Sequence, residues 1–229
     1  ELHQMWRDYR IGVAVFPRQS GKDVAMSMEM CERRLRIPKS TGTYISLDNP
    51  MIKDILWQKT YPDPKTGHYV RMLQDNVDSS LVDWKNTVME GEFTNKSRLK
   101  VQGYFQSGRD KNGVGTSFLD YAFTELALFQ REDPIPRLMP IIMGEHEDKK
   151  LMVASTPRGK RQNPLWRIIE DNAHLKDFKV ITRTIDDLNE IMVRNGLAPV
   201  LTQHRLEEIR EGYFKRFGND RMFRQEYYV

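Results

Sequence analysis

The sequence predicts an α/β fold: a central, open and mostly parallel sheet flanked by helices, followed by a small helical C-terminal subdomain. Three observations predict it. Short apolar, β-branched runs alternate with helical stretches along most of the chain, which is the pattern of strand, crossover and parallel strand. Turn-rich breaks separate these runs. From about residue 202 the pattern becomes helical and charged, L-T-Q-H-R-L-E-E-I-R-E-G-Y-F-K-R-F-G.

The elements follow in order. Residues 11–16, I-G-V-A-V-F, end at Pro17 and suit a buried strand entering a loop. Beyond the loop, Val24, Met28, Cys31 and Leu35 recur at helical spacing, with Arg33, Arg34 and Arg36 on other faces or in the last turn. Further strands are expected near residues 43–47, 69–73, 99–105, 121–123, 151–154 and 178–182. Residues 61–67, 109–115 and 133–140, the last with three prolines, read as turn-rich breaks. Residues 1–200 are expected to form the main domain and 201–229 the helical subdomain. The aromatic ending E-Y-Y-V, with no polar tail, is expected to lead into a further domain.

Bulk composition narrows the function classes. A chain of 229 residues with 39% hydrophobic content can bury one substantial core and a small appendage. No apolar run approaches the ~18 residues that cross a bilayer, and no leader-like segment opens the chain, so a soluble intracellular protein is expected. A single cysteine, Cys31, allows no internal disulfide, and the five histidines show no zinc-ligand spacing. Any metal is therefore expected to be Mg²⁺ on oxygen ligands. A net charge of +4 permits a polyanionic partner without demanding one.

The stretch F-P-R-Q-S-G-K-D, residues 16–23, departs from the phosphate-binding pattern G-x-x-x-x-G-K-[ST] at both ends. Backbone N–H groups between a strand and a helix, with the positive helix end behind them, make an anion cradle, and Arg18, Gln19, Ser20, Gly21 and Lys22 stand where such a cradle needs them. Yet Phe16 replaces the first glycine and Asp23 the final hydroxyl residue. Taken alone, G-K is common in strand-to-helix turns.

The stretch Y-A-F-T-E-L-A, residues 121–127, supplies the context. A nucleotide-hydrolysing site of this kind needs a second strand, parallel to the first, whose end presents an acid to Mg²⁺ and a glutamate to the attacking water. Glu125 is the candidate base, and Thr124 stands where the usual pattern has Asp. The two departures explain one another: a carboxylate follows the lysine and a hydroxyl precedes the glutamate, so the inventory is preserved but exchanged. A third strand, residues 151–154, leads into Ser155, Thr156 and Pro157, small hydroxyls that could sense a γ-phosphate or merely close a strand.

P-R-Q-S-G-K-D, then V-G-T-S-F-L-D-Y-A-F-T-E-L-A-L, then S-T-P-R-G-K, in this order and spacing, resemble the Walker A, Walker B and coupling motifs of phage terminase large subunits. F-R-Q-E-Y resembles the segment that closes their ATPase domain before the nuclease begins. The resemblance implies a P-loop NTPase of the ASCE, RecA-like type and ATP hydrolysis with Mg²⁺ that drives double-stranded DNA into a procapsid. It also implies a homo-oligomeric ring, portal protein and small terminase subunit as partners, no membrane, and the host-cell cytoplasm. It assigns Lys22 to the β- and γ-phosphates, Asp23 and Thr124 to Mg²⁺, Glu125 to the hydrolytic water, and Ser155 and Thr156 to coupling. Arg18 is matched to the loop arginine, and Gln4 to an adenine-contacting glutamine. For the arginine of a neighbouring subunit, the usual position before Gly115 holds Val114, leaving Arg109 as the nearby candidate. Arg158, Lys160, Arg161 and Arg167 form the densest basic cluster for DNA, or a solvated loop. Two other readings stay open: a non-catalytic module on a degenerate P-loop fold, and a helicase-type nucleic-acid ATPase.

Overall fold

Helix α1 (Leu2–Asp8) buries Met5 and Trp6 and leads directly into strand β1 (Ile11–Val15), every residue of which is buried. The two pack so closely that a Cβ at Gly12 would lie 2.5 Å from Trp6 Cδ1, and the Trp6 indole N–H donates to the Gly12 carbonyl at 3.1 Å. After a loop come helix α2 (Lys22–Arg36) and strand β2 (Thr41–Asp48). Asp48 caps the short helix α3 (Asn49–Ile52) by accepting from the Met51 N–H, and a π-helical turn, Lys53–Trp57, continues it. Four short strands follow, β3 (Thr60–Pro62), β4 (Tyr69–Arg71), β5 (Val82–Lys85) and β6 (Glu90–Phe93), then the long β7 (Arg98–Phe105). Strand β8 (Asp120–Thr124), helix α4 (Ile135–Ile142), strand β9 (Lys150–Ser155), helix α5 (Pro164–Asn172) and strand β10 (Phe178–Thr182) complete the sheet and its cover. Helices α6 (Ile185–Arg194), α7 (Gln203–Phe217) and α8 (Arg221–Tyr227) follow. This is a computed structural model, and it describes residues 1–62, 67–105, 118–129, 133–144, 148–158 and 163–228.

The main sheet has eight strands in the order β10-β1-β9-β8-β2-β7-β6-β5, and β3 and β4 form a separate antiparallel pair. The six strands from β10 to β7 are parallel, while β6 and β5 extend the sheet antiparallel. Both faces of the parallel part are covered, as parallel sheets require. On one face Ala14, Tyr44, Ala122, Met152 and Ala154 meet Met26 and Met30 of α2. On the other, Val13, Phe123, Leu151 and Val153 meet Ile135 and Leu138 of α4 and Leu165 and Ile168 of α5. Each such large apolar side chain contributes about 1.5–3 kcal/mol when fully buried.

The predicted strands at 43–47, 99–105, 121–123, 151–154 and 178–182 are all present, and the sheet is mostly parallel as expected. Four expectations need correction. Residues 133–140, read as a break, include most of α4. Pro136 lies in the first turn, where a missing N–H costs nothing, and the buried stripe Ile135, Leu138 and Ile142 holds the helix despite Pro140. The strand expected over 69–73 is only β4. Between the strands expected at 69–73 and 99–105 the structure adds β5 and β6, whose half-polar sequences V-D-W-K and E-G-E-F suit an antiparallel margin.

The fourth correction concerns α2. Its buried face runs through Met26, Met30, Arg33 and Arg34, whereas Leu35 is 37% exposed. The two arginines turn inward to a carboxylate at the foot of β8: Arg33 Nη2 lies 2.7 Å from Asp120 Oδ1, and Arg34 pairs with Asp120 Oδ2. Asp120 and Arg34 are fully buried; of the expected stripe Cys31 is buried, Val24 and Met28 are half-buried and Leu35 is exposed, so apolar spacing alone missed the polar part of this face.

Candidate functional site

The parallel register brings three strand ends to one edge. Val15 of β1 is paired with Ser155 of β9, and Ala154 of β9 with Thr124 of β8. The chain leaves each strand there: the Phe16 N–H donates to the Ser155 carbonyl at 3.0 Å, and the Glu125 N–H to the Ala154 carbonyl at 2.9 Å. Strand β9, which ends at Ser155 just before Thr156, thus stands between the two strands expected to form the site, which are not direct neighbours. Ligands in open parallel sheets bind at this C-terminal edge.

The loop from Phe16 to Gly21 turns sharply. Gln19 (φ 62°) and Gly21 (φ 76°) are both left-handed, and a Cβ at Gly21 would meet nothing within 4 Å. Residues in this conformation between a strand and a helix direct successive backbone N–H groups into one concavity. The positive N-terminal end of α2 lies behind it.

Lys22 is nearly buried and points across the strand ends. Its ammonium donates to Thr156 Oγ1 at 3.0 Å and lies 3.2 Å from Glu125 Oε1 and 4.0 Å from Asp23 Oδ2. Thr156 donates in turn to Glu125 Oε1 at 2.9 Å. Glu125 itself is left-handed, at φ 52° and ψ 42°, a conformation costing a non-glycine residue about 1–2 kcal/mol. It turns the chain off β8 into a 3₁₀ turn, Leu126–Leu128. Ser155 Oγ accepts from the Ala127 N–H at 3.2 Å, which ties the end of β9 to that turn.

Asp23 and Thr124 are in direct contact. The Thr124 hydroxyl donates to Asp23 Oδ1, and so does the Tyr44 hydroxyl, at 3.1 Å. Burial, followed by the charge of Asp23, pushes the Tyr44 phenol well above its ordinary value and keeps it a donor. Sequence reasoning missed Tyr44. The available signal was a tyrosine in the middle of a largely buried strand, since a buried phenol needs a partner.

Arg18 is held by a residue that the sequence did not single out. Its Nε lies 3.1 Å from Glu226 Oε2 and its backbone N–H donates to the Glu226 carbonyl at 3.2 Å. Arg158 Nη2 lies 2.9 Å from Glu226 Oε1, and the Tyr213 hydroxyl also donates to this carboxylate. Gln4 donates to both oxygens of Asp8, at 2.9 and 2.7 Å, and lines a cleft of about 400 Å³ with Tyr9, Thr182 and Arg183. Thr182 is in register with Val15, so the cleft borders the entry to the loop.

Of the basic cluster proposed for DNA, Arg158 faces Glu226, and Arg167 lies 4.0 Å from Asp133. Lys160 and Arg161 lie outside the described residues, as do Arg109, Val114 and Gly115. Among the described residues, His3, Glu29 and Glu32 also approach one another closely enough to share an ion. Arg7 and Arg36 already neutralise that group.

The residues at the strand ends fit a Mg²⁺-bound triphosphate. Glu125 Oε2 and Ser20 Oγ are buried without a hydrogen-bond partner among the described residues. Such orphaned polar atoms call for a ligand or water. The oxygens of Asp23, Thr124 and Glu125 are the hard donors that Mg²⁺ prefers, while Lys22 and the loop N–H groups suit polyphosphate.

No family model and no curated protein matches the chain. Solved structures do. The large terminase ATPase domain of Thermus phage P74-26 aligns at 18% identity and TM-score 0.58, over 99% of this chain and 91% of that one. The large terminase of bacteriophage HK97 aligns at 14% identity and TM-score 0.64, over 99% of this chain and 47% of its own. The large terminase of a thermophilic bacteriophage, in complex with ATP-γ-S, aligns at 14% identity and TM-score 0.58, over 94% of this chain and 48% of its own. The chain therefore has the RecA-like fold of large terminase ATPase domains, as its motifs led us to expect.

Proposed function

We propose that this chain is a Mg²⁺-dependent ATPase that powers translocation of double-stranded viral DNA into a procapsid. The observation that carries the reading is the convergence of Lys22, Glu125 and Thr156 on one another, beside the contact between Asp23 and Thr124. The shared fold supports it, and among proteins of that fold the terminase of the thermophilic bacteriophage was solved with ATP-γ-S and with ADP.

In this reading Lys22 exchanges Glu125 for the β- and γ-phosphates, and the N–H groups around Gln19, Ser20 and Gly21 cradle them. Asp23 and Thr124 would hold Mg²⁺, which would supply countercharge to the phosphates. Glu125, released from Lys22, accepts the proton of the attacking water. Arg18 leaves Glu226 to meet charge developing on the γ-phosphate. Ser155 and Thr156 couple the phosphate to the turn after Glu125, and Gln4 reads the adenine from the cleft beside β10.

Residues 201–229 serve as a linker subdomain next to the ATPase domain of residues 1–200. Leu201, Leu206, Phe223 and Tyr227 share a small apolar cluster with Ile185. The partners are DNA, the portal protein, the small terminase subunit and further copies in a ring, in the host-cell cytoplasm.

Two substitutions test the assignment. Lys22→Ala should abolish nucleotide binding measured by calorimetry. Glu125→Gln should bind ATP yet fail to turn it over, because an amide keeps the shape but accepts no proton. Turnover persisting within about threefold, roughly 0.7 kcal/mol of barrier, would make another residue the base. A wild-type chain that binds no ATP with Mg²⁺ would favour the non-catalytic module.

A further inference from the structure

We infer that Tyr44 is a positioning residue for the Asp23 carboxylate, which with Thr124 fixes one carboxylate oxygen and leaves the other to face a cation. The inference rests on the ATPase reading above. It starts from a problem that the exchanged motif creates. The usual hydroxyl after the loop lysine is short, with one oxygen to present. A carboxylate in that place reaches further, has two oxygens, and rotates about a broad, nearly two-fold terminal torsion.

The structure supplies the restraint. Tyr44 is fully buried on β2, in register with Ala122 of β8. Thr124 lies two residues further along β8 and therefore projects from the same face of the sheet. The small Ala122 leaves the tyrosine ring room to run along that face, and its hydroxyl reaches the oxygen that Thr124 also reaches. Asp23 Oδ1 is thus occupied by two hydroxyl donors from two strands. Oδ2 lies on the side of the Lys22 ammonium, 4.0 Å away. Two donors on one oxygen define the plane of the carboxylate and so the direction in which Oδ2 points. Tyr44 thus acts on the metal site through Asp23, from the strand beside the one that carries Thr124.

The test compares ADP affinity by calorimetry in Mg²⁺ and in EDTA, for the wild-type chain and for Tyr44→Phe, which keeps the ring and removes the hydroxyl. Groups that orient a metal ligand are worth about 10- to 100-fold in metal affinity. The Mg²⁺-dependent gain in ADP affinity should therefore fall by roughly tenfold or more, while affinity in EDTA stays within about threefold. Tyr44→Met fills similar space flexibly and carries the same expectation, so a packing defect in one variant does not decide the matter. Thermal melts confirm that each variant is folded. An undiminished Mg²⁺ gain in folded Tyr44→Phe or Tyr44→Met overturns the assignment and leaves the ATPase reading standing. A wild-type chain that binds ADP in neither condition overturns both.

Discussion

The Thr124 hydroxyl donates to Asp23 Oδ1, joining the residue after the loop lysine to the residue before the strand-end glutamate across 101 positions of sequence. If both serve one metal, exchanging them must be more than the sum of its parts. Asp23→Ser alone leaves two hydroxyls and no carboxylate, and metal affinity should drop. Thr124→Asp alone sets two carboxylates side by side and should also impair the site. The double variant Asp23→Ser/Thr124→Asp restores one of each, so Mg²⁺-dependent ATP affinity should recover by a coupling of about 1–3 kcal/mol. Strictly additive losses in calorimetric titrations would separate the two residues functionally.

Asp120 should be among the most sensitive positions in the core. It is fully buried between Arg33 and Arg34, so Asp120→Asn leaves two inward guanidiniums short of their countercharge. Breaking such a buried pair costs about 3–5 kcal/mol. Urea denaturation should report a loss of that size, and a change below about 1 kcal/mol would mean that the arginines find other partners.

Glu226 gathers Arg18, Arg158 and Tyr213 around one carboxylate, and two of these come from outside the C-terminal helices. Arg18 is half exposed, so the expected loss for Glu226→Gln is modest, about 1–2 kcal/mol or about 2–8 °C in melting temperature. Limited proteolysis should also cut more readily within residues 201–229. An unchanged melt and digestion pattern would show that α8 is held by its apolar contacts alone.

Burial pushes the Cys31 thiol up to about 12. The thiolate is the reactive form, so the native chain should resist a disulfide reagent at neutral pH and react only as it opens. Because the folded value is raised, this group's contribution is intact below the ordinary thiol value of 9.0 and is lost as pH climbs from there toward about 12. Rapid stoichiometric labelling of the folded chain would contradict the burial.

Much of this architecture is legible in the sequence because its parallel strands are continuous apolar runs, buried on both faces. The loop, the Thr124-Glu125 pair and the Ser155-Thr156 pair could be placed because backbone geometry at strand ends restricts which residues fit there. What escaped was long-range and polar. Tyr44, Asp120 and Glu226 each read as an ordinary member of a strand or helix, and their partners Asp23, Arg33 and Arg158 lie 21, 87 and 68 positions away. Helix α4 escaped for a different reason: its prolines argue locally for a turn, and only burial of Ile135, Leu138 and Ile142 outweighs them.

The position of β1 between β9 and β10 has a consequence for how the chain acquires its shape during synthesis. Residues 41–105 can pair among themselves, since β2, β7, β6 and β5 are consecutive neighbours in the sheet. Strand β1 has no such local partner. Among the described residues its ladders are made only with residues 151–155 and 178–182, so the loop it carries waits unsupported while most of the domain leaves the ribosome. Pairings this distant are slow to close, and the apolar strand is open to wrong partners meanwhile. The segment that would grip the nucleotide is thus translated early and secured late, which makes nucleotide binding a readout of completed folding.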